Sequence, residues 1–284
     1  MVLLLACLWG GSYPLLKVAV ETIPPLTVVA MRAALGGALL LAALGPRIRE
    51  LSAVARDSPR PLAIQSIFTC IVPWLLIAGA IRSLDASLAA ILNSLSPIFI
   101  FLITALVTRH EAVTARKGVG VALGIAGVIT IVGIDALSTV GGNTGAELAC
   151  IAGALSYAIA GVIGVRFARI SPLVPAAGST LIAALVIAPI ALWVEKPWAL
   201  HPSFASLAAI VAGAVLSTAL AQVVYFRLLA TVGSIAMSSQ AYLRIVVGVA
   251  LSMAFLGERP APQAWAGLAL VVAGVVAMTL PARR

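Results

Sequence analysis

Apolar residues fill the chain in runs of about twenty, parted by short polar joints, and this pattern predicts ten membrane-spanning helices. The windows are approximately 2–20, 25–44, 61–81, 86–108, 116–134, 145–166, 172–193, 204–229, 233–256 and 262–280. Proline and glycine stand at the joints, as at Pro24-Pro25, Gly45-Pro46, Gly141-Gly142, Ser171-Pro172 and Pro260. Every connection is short. The expected fold is therefore an all-α membrane protein with no separate soluble domain.

Composition agrees. Of 284 residues, 62% are hydrophobic and 10% charged, and the mean hydropathy is +1.16. Soluble domains carry ~25% charged residues and need polar cover for their surface, so lipid must solvate most of this chain. The net charge of +9 brings nucleic acid to mind. However, the basic residues sit in joints, and no Lys/Arg stripe with interleaved aromatics follows a phosphate backbone. No nucleic-acid partner is expected. Cys7, Cys70 and Cys150 fall in apolar runs and His110 and His201 in joints, so no disulfide, metal site or cofactor is indicated. The first run lacks a basic leader and a cleavage site and is expected to stay as a helix. Its abrupt start suggests that natural residues precede it.

Charge sets the expected topology. With the N-terminus inside, twelve of the eighteen basic residues are cytoplasmic: Arg47, Arg49, Arg56, Arg60, Arg109, Arg116, Lys117, Arg166, Arg169, Arg227, Arg283 and Arg284. Arg82, Lys196 and Arg259 fall outside, and Lys17, Arg32 and Arg244 within spans. Cytoplasmic joints collect positive charge, so both termini are expected in the cytoplasm. The chain also echoes itself. Residues 86–132 shifted by 147 positions match 233–279 at ten places, seven of them clustered from Glu111/Glu258 through Gly120/Gly267 and Gly127/Gly274 to Val128/Val275. Ser12-Tyr13 echoes Ser156-Tyr157 at a slightly different offset. Two units of five spans each, 1–134 and 144–280, would have to insert in opposite orientations. Inverted repeats place a binding site near the midplane between the halves.

Three stretches carry a family likeness: Trp9-Gly10-Gly11-Ser12; Asn93-Ser94-Leu95-Ser96-Pro97 with Glu111 after an apolar span; and Leu256-Gly257-Glu258-Arg259-Pro260 followed by Gly267 and Gly274. Together they resemble the EamA branch of the drug/metabolite transporter superfamily, over nearly the whole chain, and within it the YddG-type amino-acid exporters. The resemblance implies an exporter of small metabolites, with amino acids a common substrate class. Arg244 stands where the second half of such proteins often carries proline, so a helix break is expected to be lost there and a fixed charge gained.

Intramembrane polar groups are costly and call for a reason. Arg244 lies about eleven residues into its span, ~16 Å deep, where a charge costs ~2.5–3.5 kcal/mol. Gln240, Arg244 and Gly248 share one face. Arg244 either meets a substrate carboxylate or sets the cavity potential, or else snorkels or bonds a carbonyl. Trp9, Tyr13 and Lys17 form a stripe at four-residue spacing, with Ser12 beside it and Pro14 able to bend the helix. Lys17 itself is expected at the outer interface near Glu21. Arg32, ~10 Å deep, is expected to reach the headgroups rather than line a vestibule. Trp74 follows Pro73, which opens the helical ladder. Asn93, Ser96 and Pro97 lie in the fourth span, Ser156 and Tyr157 in the sixth, Thr218, Gln222 and Tyr225 in the eighth. Each alone is more often helix–helix glue than a ligand contact. Together they offer donors for a carboxylate and aromatic faces for an amine, as a small zwitterion needs. The glycines Gly120, Gly124 and Gly127 are expected to serve packing.

The sequence holds no deep carboxylate to relay protons or select organic cations, and no catalytic constellation such as paired carboxylates, GxSxG or HExxH. The expected function is export of an amino acid or related metabolite across the cytoplasmic membrane. It would work by alternating access in a monomer, driven by the substrate's own gradient. Drug or organic-cation efflux and a non-transporting membrane scaffold remain as alternatives, and an enzyme is not expected.

Overall fold

The structure is a computed structural model. It describes residues 1–80, 83–84, 89, 92–110, 112–132, 140–247 and 262–280, with the backbone alone for Tyr13 and Ala264. Arg82, Glu111, Gly248, Leu256, Gly257, Glu258, Arg259, Pro260, Arg283 and Arg284, all used above, lie outside the described residues.

Among the described residues all regular structure is helical. We number the helices α1 (Val2–Gly10), α2 (Ser12–Ala19), α3 (Pro25–Leu44), α4 (Ile48–Asp57), α5 (Pro59–Ala80), α6 (Ser96–Thr108), α7 (Ala115–Val132), α8 (Thr144–Gly164), α9 (Leu173–Glu195), α10 (Phe204–Ser238), α11 (240–247) and α12 (Pro262–Thr279). Six helical stretches among them are long and apolar enough to cross a bilayer: Val2–Ala19, Pro25–Asp57, Pro59–Ala80, Thr144–Phe167, Leu173–Glu195 and Phe204–Ser238. Ser96–Thr108 and Trp265–Thr279 are shorter apolar helices.

Proline explains where the ladders break. Pro14 lacks the N–H that would bond the Gly10 carbonyl four residues back, and the first helix parts between Gly10 and Ser12. Pro73 does the same in α5, where the turn widens to a π-helix over Ile67–Ile71 and the Val72 amide bonds the Ile67 carbonyl. That register passes over the Phe68 carbonyl, and Pro73 has no hydrogen to offer it. Pro97 occupies the first turn of α6, after a turn at Ser94-Leu95. Gly233, at φ 82° and ψ 175°, breaks α10 in a region that glycine alone enters readily.

Two expectations are corrected. The run 233–256 was expected as one helix, its break lost at Arg244. Instead a turn at Ser239 precedes α11. The Ser238 and Ser239 hydroxyls donate to the carbonyls of Ile235 and Ala236, each at 2.7 Å, and such local bonds compete with the helical ladder. The helix runs unbroken through Arg244 over 240–247, and the turn stands five residues before it. Second, the joint at 45–60 is largely a helix, α4, with Arg49 and Arg56 exposed and Leu51 and Val54 packed on the core. It has the two faces of a helix lying along an interface.

Two helix pairs bind the molecule together. In the first, α7 and α12 touch through their backbones. A Cβ on Gly120 would stand 2.8 Å from the Gly274 carbonyl oxygen, and one on Gly127 2.7 Å from that of Gly267. The contacts run in opposite directions along the two helices, so they are antiparallel. In the second, α3 runs against α9. The Glu195 carboxylate at the end of α9 accepts from the Leu26 amide (3.2 Å), the Thr27 amide (2.6 Å) and the Thr27 hydroxyl (2.6 Å) at the start of α3. At the other end Arg47 donates to the Ser171 hydroxyl at 3.0 Å. This pair is antiparallel as well. Leu185, Trp193, Trp198 and Phe204 are mostly exposed. In water this would be a liability, but it suits a surface facing acyl chains and headgroups.

Candidate functional site

A cavity of about 50 Å³ opens between α1/α2, α3, α5, α8, α10 and α11. Its polar and aromatic lining is Trp9, Ser12, Arg32, Trp74, Tyr157, Ser217 and Arg244, with Leu16, Val29, Ile77 and Ala78 as apolar fill. Among the described residues no carboxylate lines it.

Trp9 organises one wall. Its indole N–H donates to the Ser217 carbonyl at 3.2 Å, and the Ser217 hydroxyl returns a bond to the Leu8 carbonyl at 2.7 Å. The acceptor is free for a local reason. Residues Gly213–Leu220 form a π-helical stretch, and the Ala221 amide bonds the Leu216 carbonyl, passing over that of Ser217. Thus pinned, the indole packs against Tyr157 and Tyr225, at centroid distances of 6.0 and 5.6 Å. The Arg244 guanidinium carbon sits 5.4 Å from its ring centre. Gly10 lies against the Arg244 backbone, where a Cβ would stand 3.5 Å from the Arg244 carbonyl oxygen.

The second arginine is Arg32. Its Nη2 donates to the Thr218 hydroxyl at 3.3 Å. Its Nε lies where a Cβ on Gly213 would come within 3.2 Å. The Nε atoms of both Arg32 and Arg244 are buried without a hydrogen-bond partner among the described residues.

Of the residues singled out from sequence, Trp9, Ser12, Trp74, Tyr157 and Arg244 meet in this cavity. The Tyr13 side chain lies outside the described structure. Tyr225 is buried behind Trp9 rather than lining the space. The other polar candidates are placed elsewhere. Ser156 donates at 2.9 Å to the Phe68 carbonyl that the π-turn of α5 leaves over. Gln222 donates to the Cys70 sulfur at 3.3 Å. Asn93, Ser96 and Gln240 are buried away from the cavity lining. Pro14, Pro73 and Pro97 stand at helix breaks or first turns, and Pro14 is exposed. Arg32 is a correction, because it was expected at the headgroups. Lys17 is exposed, as expected. From the first two helices the cavity takes Trp9, Ser12 and Leu16. Ser217 was not singled out. Its signal is a serine one residue before Thr218 in an apolar span, with nothing local to mark its carbonyl as free.

Comparison with known proteins gives consistent results. The EamA-like transporter family model matches residues 1–133 and again 144–280. The "Uncharacterized inner membrane transporter YedA" of Escherichia coli is 28% identical over 278 residues, spanning 96% of this chain and 87% of that protein. An "Uncharacterized transporter" of Archaeoglobus fulgidus is 26% identical over 125 residues, 43% of each chain. A solved crystal structure aligns with a TM-score of 0.81 over 100% of this chain and 98% of its own, at 23% identity, a likeness of fold.

Proposed function

The chain belongs to the EamA-like transporter family, and from that premise we propose that it exports an amino acid or related small metabolite across the inner membrane by alternating access. The single observation that carries this reading is the cavity itself, a small polar chamber with two arginines and three aromatic rings, set among apolar helices. Intramembrane charge is costly and by default marks a substrate or ion path, which a scaffold does not need.

The proposed architecture is ten spans in two inverted halves, with both termini in the cytoplasm. Several contacts support it. The matched glycines Gly120/Gly267 and Gly127/Gly274 meet crosswise, Gly120 on Gly274 and Gly127 on Gly267. A two-fold axis lying between α7 and α12 produces that exchange. The π-turns lie in α5 and α10, the third spans of their halves. The carbonyl each leaves over is bonded by the first helix of the other half, through Ser156 and Trp9 respectively. The cavity draws on the first three spans of one half and the first, third and fourth of the other. On this reading the helices part in turn on either side of the cavity to admit and release the solute.

The test is flux through purified protein in proteoliposomes, with a competition panel of amino acids, nucleosides and cationic dyes. Saturable exchange of an amino acid or a related small anion is the expected result. Exchange of cationic dyes in preference would move the assignment to drug efflux. Absence of any flux would leave only the scaffold. Uptake that depends strictly on an imposed pH gradient would count against transport driven by the solute's own gradient.

A further inference from the structure

Resting on that transport reading, we infer that the solute is a small dianion in the sense of a molecule with two anionic groups, one bound by Arg244 and the other by Arg32. A monocarboxylic amino acid offers one carboxylate, so it engages one arginine and leaves the other unpaired. The cavity is built for two anionic groups. It holds two guanidinium groups and, among the described residues, no carboxylate.

Neither arginine is in place by accident of length. Arg32 is held inward by the Thr218 hydroxyl, and Thr218 can approach only because residue 36 is glycine, whose Cβ would stand 2.7 Å from the Thr218 methyl. Gly213 removes the side chain that would displace the guanidinium. Arg244 is held by the Trp9 face, which the Ser217 carbonyl fixes in turn. Each arginine keeps an unbonded Nε. Holding two like charges in one small space of low dielectric is unfavourable, and two anionic groups neutralise the pair where one leaves a net positive charge. The planar fork of guanidinium suits carboxylate and phosphate alike. The shared chemistry is therefore two anionic groups on one small solute, as in a dicarboxylic amino acid or a phosphorylated one.

The experiment pairs a binding readout with a flux readout on the full chain. Thermal shift of the detergent-purified protein is measured with aspartate, glutamate, phosphoserine, leucine, serine and lysine, and counterflow of the same solutes is measured in proteoliposomes. Aspartate and glutamate alone, or phosphoserine alone, stabilising and exchanging would identify which source supplies the dianion, and either supports the inference. In Arg32→Gln the apparent affinity for the dianion should fall by roughly ten-fold or more, the range expected for losing a hydrogen-bonded charge pair, while that for a neutral amino acid changes little. Arg32→Lys, which keeps the charge, should retain the preference. Leucine or serine binding as tightly as aspartate, with Arg32→Gln weakening both alike, would overturn the inference and leave the transport reading intact. Dianion-specific thermal shift without any counterflow would do the reverse.

Discussion

The Arg244 guanidinium stacks on Trp9, with its central carbon 5.4 Å from the ring centre. The Trp9 indole is itself tied by its N–H to a backbone carbonyl of α10. A charge and its aromatic support are thus fixed to three helices at once.

That chain of contacts makes the aromatic ring separable from its hydrogen bond. Trp9→Phe keeps a face for Arg244 and loses the bond to Ser217, whereas Trp9→Ala loses both. The stack is worth about 1–2 kcal/mol where it is shielded from water. Solute KM should rise by roughly ten-fold in Trp9→Ala and by less in Trp9→Phe. Equal KM values in both variants would remove the stack from the site. Arg244→Ala should impair transport without lowering expression, as read by flux and immunoblot of the membrane fraction.

Ser156 tests the opposite case, a polar residue used by the fold. Ser156→Ala leaves the Phe68 carbonyl without its donor, and a buried carbonyl so stranded costs about 1–3 kcal/mol. The melting temperature in detergent should fall by a few degrees while KM stays as it was. A changed KM at unchanged melting temperature would bring Ser156 into the site.

The glycines of α7 and α12 set a packing limit. Gly274→Val places carbon within about the 2.7 Å already reached by a bare Cβ against the Gly120 carbonyl, and overpacking of this kind costs about 1–3 kcal/mol or more. Yield of monodisperse protein on size exclusion should drop sharply. Gly79→Ala, whose Cβ would meet nothing within 4 Å, is the control and should behave as the parent.

Glu195 caps the start of α3 with three accepted bonds. Glu195→Ala removes them together, and loss of a helix cap costs about 0.5–2 kcal/mol. A lower melting temperature is expected, with Thr27→Val giving a smaller part of the same fall.

Topology is open to direct labelling. In a chain whose Cys7, Cys70 and Cys150 are replaced by alanine, Lys196→Cys should react with a membrane-impermeant maleimide from outside intact cells, and Arg56→Cys only after lysis. The reverse pattern would invert the proposed orientation.

Much of the fold was legible because lipid imposes a single rule, that backbone polar groups be satisfied within helices. Apolar runs, prolines and glycines therefore mark the elements closely. The site was legible where cost revealed it: Arg244, Trp9, Trp74 and Tyr157 are expensive or bulky groups in apolar runs, and the cavity gathers them. Arg32 was misjudged because depth along a helix does not tell which way a long side chain turns. What turns it inward, Thr218, lies 186 residues further on. Ser156 and Gln222 look like site residues in sequence, yet they are spent on a leftover carbonyl and a thiol. The π-turns that leave such acceptors over are a change of register by one residue, and of the two only that in α5 has a proline to announce it.

The backbone contact of Gly120 with Gly274 also constrains movement. Two helices already touching main chain to main chain cannot draw nearer, and they cannot slide without lifting a carbonyl over the neighbouring ridge. Under the proposed alternating access the pair would therefore be the fulcrum, with the helices that carry Arg32 and Trp74 turning about it.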